Sequence, residues 1–125
     1  MSRVTHPRII EEYKQQSGDI PFRKWQAELT KSEPVAAQRI DARLARLKTG
    51  NFGEHRGVGE GVKELVLDFG PGYRLYFAED GDTIVILLLG GTKKGQNADI
   101  EEAKKYWKRY KELKNESKKS KSKKR

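Results

Sequence analysis

The residues best suited to chemistry are polar and basic side chains around one run of predicted strands. They are His55, Arg56, Glu64, Arg74, Tyr76, Lys93 and Lys94. Guanidinium and ammonium groups bind phosphate, and an arginine does so through paired hydrogen bonds. The set therefore indicates a site for an anionic ligand, provided that the fold brings these side chains together.

Arg74 is the central member of this set because of its position in a predicted strand. Side chains alternate between the two faces of a strand, so Arg74 and Tyr76 lie with Glu64 on the face opposite the apolar residues. On an open face the guanidinium can bind phosphate. The alternative is a structural cross-strand pair between Arg74 and Glu64, worth a few tenths to about 1 kcal/mol. The spacing alone leaves both interpretations open.

Four strands are predicted to position these residues. Arg8–Lys14 is an edge strand, and the other three form an antiparallel meander of Val62–Phe69, Tyr73–Ala78 and Ile84–Leu89. A type II turn is predicted at residues 70–73 and a tight hairpin at residues 80–81. Ile84–Leu89 is apolar at every position, which is typical of a central strand covered on both faces.

Three helices are predicted around this sheet. Asp19 is the expected cap of the first, the second starts at Ser32 and stops before Gly50, and the third runs from a cap at Asn97 to about Leu113. The fold class is α+β, with a small antiparallel sheet, a helical pair on the N-terminal side and a C-terminal helix, in the order β-α-α-β-β-β-α. We expect the helices on one side of the sheet.

The charge of the chain is concentrated at its C-terminal end. Of 125 residues, 27 are Lys or Arg and 18 are Asp or Glu, a formal net charge of +9. Residues 104–125 hold 12 of the basic and 2 of the acidic residues, so the remainder is close to neutral. We expect residues 1–114 to form one domain and residues 115–125 to be a basic, disordered tail. That tail either binds RNA or only keeps the protein soluble.

Several classes of function are disfavoured by composition. The chain has no Cys and two His, His6 and His55, which lie far apart, so no metal site and no cofactor is predicted. The longest apolar run is six residues, and the polar N-terminus predicts no signal peptide, so we expect a cytoplasmic protein without a membrane partner. The glycines at 57, 59 and 61 precede a strand, and GGTKKGQ is not a P-loop.

Two long segments of the sequence carry a resemblance to a known protein family. GNFGEHRGVGEGVKELVLDFGPGYRLYF and IVILLLGGTKKGQNADIEEAKKYW resemble the HigB-like branch of the RelE/ParE toxin superfamily, often called addiction-module killer proteins. FRKWQAEL and AAQRIDARLARLKTGN match as well, so the resemblance covers about residues 8–110. It implies a RelE-like fold and the toxin half of a type II toxin–antitoxin module.

The resemblance implies a ribosome-dependent mRNA endonuclease that needs no metal, with a helix-turn-helix antitoxin, the ribosome and mRNA as partners. The RNA 2′-OH attacks the adjacent phosphate, so the protein must position that phosphate and stabilise its charge. By position, the implied catalytic residues are Arg74, Lys93 and Lys94. The implied RNA-binding residues are His55, Arg56, Lys63 and Tyr76.

Departures from the family pattern keep other functions open. Many relatives have ELR where this chain has Glu64-Leu65-Val66, so one basic residue is missing, and Ile100 stands where a catalytic side chain could be expected. His55, Tyr76, Tyr106 or Tyr110 could take that role, although packing explains the last two better. The alternatives are a ParE-like toxin that binds DNA gyrase without catalysis, and an inactive remnant that binds only its antitoxin.

Overall fold

The chain folds into a mixed five-stranded sheet with helices on both faces. The computed structural model describes residues 6–123, with side chains as far as residue 117. The strands are β1 (Ile9–Glu12), β2 (His55–Gly59), β3 (Val62–Leu67), β4 (Tyr73–Asp80) and β5 (Ile84–Thr92). The helices are α1 (Pro21–Ser32), α2 (Pro34–Lys48) and α3 (Gln96–Lys123), and a short 3₁₀ turn, Lys93–Gly95, precedes α3. The α+β class predicted from the sequence is confirmed.

The sheet differs from the predicted one at both edges. Its order is β1-β5-β4-β3-β2, and β1 pairs with β5 in parallel, so the sheet is mixed rather than antiparallel. The edge position of the first strand is confirmed. β2 is a strand that the predicted order lacks; it forms a hairpin with β3. The two loop residues, Glu60 and Gly61, have φ of +56° and +87°, as a type I′ turn requires.

The turn between β3 and β4 lies one residue earlier than predicted. The amide of Gly72 donates to the carbonyl of Phe69 at 2.9 Å, so the turn spans residues 69–72 rather than 70–73. Gly70 and Gly72 have φ of +54° and +78°, values that favour glycine.

The two N-terminal helices cover one face of the sheet. Each has a proline in its first turn, and the residues before them, Ile20 and Glu33, are the N-caps. The predicted cap Asp19 and helix start Ser32 are therefore wrong, because the prolines already fix where each helix can begin. Phe22 and Ile40 are buried among the sheet residues of this face.

The third helix covers the opposite face, which corrects the expectation that all helices lie on one side. Ala103 and Trp107 of α3 pack with Ile86 and Leu88 of β5. β5 is thus buried on both faces, as its unbroken apolar sequence predicts. α3 can cover this face of the sheet because Ile100, Ala103 and Trp107 form one apolar stripe along the helix.

α3 is also longer than predicted at both ends. It begins at Gln96, so Asn97 lies inside its first turn and is not the cap. The sequence predicts an end near Leu113 and a disordered tail, whereas the described backbone is helical to Lys123. No Gly or Pro interrupts this stretch, and Arg109 forms ion pairs with Glu112 and Glu116 at 3.4 and 3.8 Å. No helix in the described part of the chain is long and apolar enough to cross a membrane.

Candidate functional site

The candidate site lies on the α3 side of β3 and β4, near the start of α3. Glu64 pairs with Tyr76 across the two strands, and Arg74 is next along β4 on the same face. This shared face is the one that alternation predicts. It is not an open face, however, because α3 and the 3₁₀ turn cover much of it.

Glu64 is the buried centre of the site. Its residue is 0% exposed, and its carboxylate accepts hydrogen bonds from Nε of Arg56 at 2.7 Å and from Nε2 of Gln96 at 2.9 Å. Nε of Arg74 lies 4.0 Å from the same carboxylate. The predicted Arg74–Glu64 pair is therefore a long contact, while the close partners are Arg56 and Gln96. Gln96 is 32 residues away in sequence, so no local pattern could indicate it.

Arg74 is the second residue of β4, next to the 69–72 turn and to the 3₁₀ turn. Its side chain is 11% exposed, and Nη1 donates to the carbonyl of Tyr73 at 3.3 Å. Its buried Nε has no hydrogen-bond partner among the described residues. A Cβ on Gly72 would lie 3.2 Å from Nη1 of Arg74 and 3.4 Å from Cβ of Lys93. A side chain at position 72 would press on both basic residues, and the φ of +78° favours glycine there as well.

Lys93 and Lys94 form the exposed rim of the site. Both lie in the 3₁₀ turn between β5 and α3, and the amide of Lys93 donates to the carbonyl of Gly72 at 2.7 Å. Neither lysine makes an ion pair with a described residue. Their charges are thus available to an anion that approaches Arg74 from solvent.

Tyr76 lies beneath this rim rather than on it. Its residue is 0% exposed, and its hydroxyl has no hydrogen-bond partner among the described residues. Burial and then the charge of Glu64 raise the pKa of Tyr76 above its ordinary value, so the hydroxyl stays protonated at neutral pH. The ring is therefore closed to solvent, whereas the RNA contact predicted for Tyr76 would need an exposed side chain.

Asp99 also belongs to the site, although the sequence predicts for it only a position near the N-terminal end of a helix. One of its carboxylate oxygens would meet a Cβ on Gly91 at 2.0 Å, so the carboxylate is packed against the β5 backbone. Burial and then the charge of Glu102 raise the pKa of the Asp99 carboxyl. Only the close approach of α3 to β5 makes this residue part of the site.

His55 and Lys63 lie on the other face of the sheet. His55 pairs with Leu65, and its ring packs edge-on against Phe52, 5.3 Å between centroids. Lys63 forms an ion pair with Glu79. The structure therefore gathers Arg56 and Arg74 around Glu64 and places Lys93 at Gly72 with Lys94 next in the chain. It leaves His55 and Lys63 on the opposite face.

The two distal tyrosines have structural partners. Tyr106 stacks on Tyr13 with centroids 5.0 Å apart and donates to Glu102. Tyr110 stacks on Trp107 and donates to Asp80 at 2.7 Å. These contacts favour packing over a role in proton transfer. The acidic and histidine side chains of the described residues form no group of three that could hold a metal ion.

Comparison with known proteins shows that the chain is similar to a bacterial protein of unknown function. The chain matches no protein-family model. An uncharacterized protein of Haemophilus influenzae is 41% identical over 85 residues, which span 68% of this chain and 84% of that protein. The similarity covers most of the relative's length.

Proposed function

This chain belongs to the same family as the uncharacterized Haemophilus influenzae protein, and we propose from its own residues that it is the toxin of a type II toxin–antitoxin module. In this proposal it is a RelE/ParE-type endoribonuclease that cleaves mRNA on the ribosome. Its partners are the ribosome, mRNA and a helix-turn-helix antitoxin, and it acts in the cytoplasm. The motifs GPGYR and GGTKKGQ are the sequence basis of the proposal.

One structural observation carries the proposal. The two motifs meet at Gly72, where the guanidinium of Arg74 and Cβ of Lys93 both lie close to the glycine. A nearly buried guanidinium next to two unpaired lysines forms a local positive charge in a domain that is otherwise almost neutral. This arrangement is suited to one phosphate rather than to general attraction by nucleic acid.

The reaction needs a held phosphate, stabilisation of its charge and two proton transfers. The RNA 2′-hydroxyl gives up its proton to water and its oxygen attacks the adjacent phosphorus. The bond from phosphorus to the 5′-oxygen breaks, and that oxygen takes a proton from water, so the products carry a 2′,3′-cyclic phosphate and a 5′-hydroxyl. Arg74 stabilises the charge on the non-bridging oxygens, and Lys93 and Lys94 stabilise the phosphate and the leaving oxygen. Glu64 is a positioning residue, because it holds Arg56 and limits where the guanidinium of Arg74 can lie.

The test is a map of mRNA 5′ ends shortly after induced expression in bacteria. We expect new ends inside translated codons with the wild-type protein and none with Arg74→Gln. Arg23→Gln is the matched control, since Arg23 is 66% exposed and lies on α1. Because Arg74 is nearly buried, the exposed pair Lys93→Gln and Lys94→Gln serves as a second variant, and thermal unfolding reports whether each protein is folded.

Two other outcomes contradict the nuclease. Growth arrest with unchanged mRNA ends and with DNA damage indicates the gyrase-binding alternative. An absence of growth arrest, with the protein folded and present, indicates an inactive remnant.

A further inference from the structure

A second concave surface lies behind the turn that carries Arg74. It is a cavity of about 440 Å³ between the start of α2 and residues 69–73. Its lining residues are Glu33, Val35, Ala36, Arg39, Phe69, Gly70, Pro71 and Tyr73. A volume of this size is in the range of small-ligand sites.

The cavity combines exposed apolar surface with a cation that has no carboxylate partner among the described residues. Val35 is 65% exposed, one of two large apolar side chains so exposed among the described residues. The guanidinium carbon of Arg39 lies 4.7 Å from the ring centroid of Phe69. Arg39 makes no ion pair with a described residue. Within the described chain Arg39 therefore has an aromatic partner but no carboxylate partner, and Val35 stays largely exposed beside it.

The cavity continues along α2 into a groove with a second cation that lacks a described carboxylate partner. That groove holds about 280 Å³ and shares Arg39 and Phe69 with the cavity. Arg46 lies in it, two turns after Arg39 on the same helix, and has no ion-pair partner in the described part of the chain. Arg43 lies between them, but its guanidinium already donates to the carbonyls of Phe52, Glu54 and Val66.

One turn separates this cavity from the proposed phosphate site. Gly70 and Pro71 line the cavity, whereas Gly72 contacts Arg74 and Lys93 on the other side. The ends of a β-turn lie within about 7 Å of each other. Consecutive nucleotides of one strand can therefore reach both sides of the turn.

We propose that this cavity is a nucleobase subsite for single-stranded RNA, and the inference rests on the proposed function. The base packs between Val35 and the guanidinium of Arg39, which itself lies over the ring of Phe69, and the outer N–H groups of Arg39 bind the next phosphate. Apolar surface that alternates with guanidinium groups lacking described carboxylate partners suits the alternating bases and phosphates of a single strand. The carboxylate of Glu33 at the rim can accept a hydrogen bond from an exocyclic amino group.

The test measures the affinity of the full-length protein for an eight-nucleotide single-stranded RNA by fluorescence anisotropy. Val35→Glu places a charge in the cavity without removing a buried side chain, and Arg39→Gln removes the cation. Since stacking of one base is typically worth a factor of ten or more, we expect Val35→Glu to weaken binding about tenfold. Ile9→Glu is the matched control, because Ile9 is 55% exposed and lies on β1; binding should stay within about twofold, as for surface changes outside a site.

An abasic RNA shows whether the effect comes from a base. Removing the base that occupies the cavity should weaken binding to the wild type and should cause little further loss with Val35→Glu, because both changes remove the same interaction. RNA binding that is absent, or that neither Val35→Glu nor Arg39→Gln weakens, overturns the subsite. The map of mRNA 5′ ends tests cleavage separately, so a failure of the subsite and a failure of the proposed function give different results.

Discussion

The carboxylate of Glu64 is completely buried, yet it accepts its shortest hydrogen bond, 2.7 Å to Nε, from Arg56, whose side chain is 60% exposed. A buried charge is costly unless it is paired and hydrogen-bonded. Here the pairing links strands β2 and β3, and Gln96 links the same carboxylate to α3. Glu64 thus connects three elements around Arg74.

Glu64→Gln should lower the free energy of unfolding by about 1–3 kcal/mol, the usual cost of leaving a buried donor unpaired. The amide keeps the volume of the side chain, but it offers one acceptor oxygen where the carboxylate offers two. Denaturant titration measures the change. Glu60→Gln is the control, because Glu60 is 72% exposed and lies 3.7 Å from Lys104. Equal losses for the two variants would show that the buried network contributes nothing.

Gly90→Ala should destabilise the fold by about 1–3 kcal/mol, the range for an overpacked core. A Cβ at position 90 would lie 2.3 Å from the ring of Trp25, which packs flat on the β5 backbone. Gly57→Ala is the control, since a Cβ there meets nothing within 4 Å. Thermal or chemical unfolding compares the two proteins. If both changes are tolerated equally, the ring does not lie on β5 as described.

The tyrosines predict a loss of stability in alkali. Burial raises the pKa of all five, and that of Tyr106 to about 12. Below pH 10 the folded and unfolded chains both keep these protons, so the shifts have no effect there. As pH rises above 10, the unfolded chain loses protons first and the free energy of unfolding falls.

Ultraviolet absorbance of tyrosinate tests this prediction. The native protein should show no tyrosine that titrates at the ordinary value, whereas the protein in denaturant should show all five doing so. One or more tyrosines with an ordinary pKa in the native protein would contradict the described burial.

The sequence predicts best what depends on local alternation and on proline or glycine. The face shared by Glu64, Arg74 and Tyr76 follows from the alternation of side chains, and Pro21 and Pro34 mark where α1 and α2 begin. The sequence does not predict strand β2, because its residues, HRGVG, include too few apolar side chains. It exists through its pairing with β3, which is a tertiary interaction.

In the site as well, the sequence predicts the contacts between neighbouring strands but not those that depend on how α3 packs. The proximity of Arg74 to Lys93 follows from neighbouring strand ends, so it could be predicted. The contact of Gln96 with Glu64 and the packing of Asp99 on Gly91 depend on where α3 docks, and the sequence predicts the other side of the sheet for that helix. His55 was expected near Arg74, but its position in β2 turns it to the opposite face, which only the β2–β3 register determines.

The most direct test of the central claim is cleavage of a defined mRNA on purified translating ribosomes, with the ends of the products identified. We predict fragments with 2′,3′-cyclic phosphate and 5′-hydroxyl ends, and a rate that Arg74→Gln lowers by about 100-fold or more, as for the loss of one key group that stabilises transition-state charge. Arg23→Gln should cleave at the wild-type rate. Cleavage by a folded Arg74→Gln protein at the wild-type rate, or no cleavage by the wild type, would contradict the account.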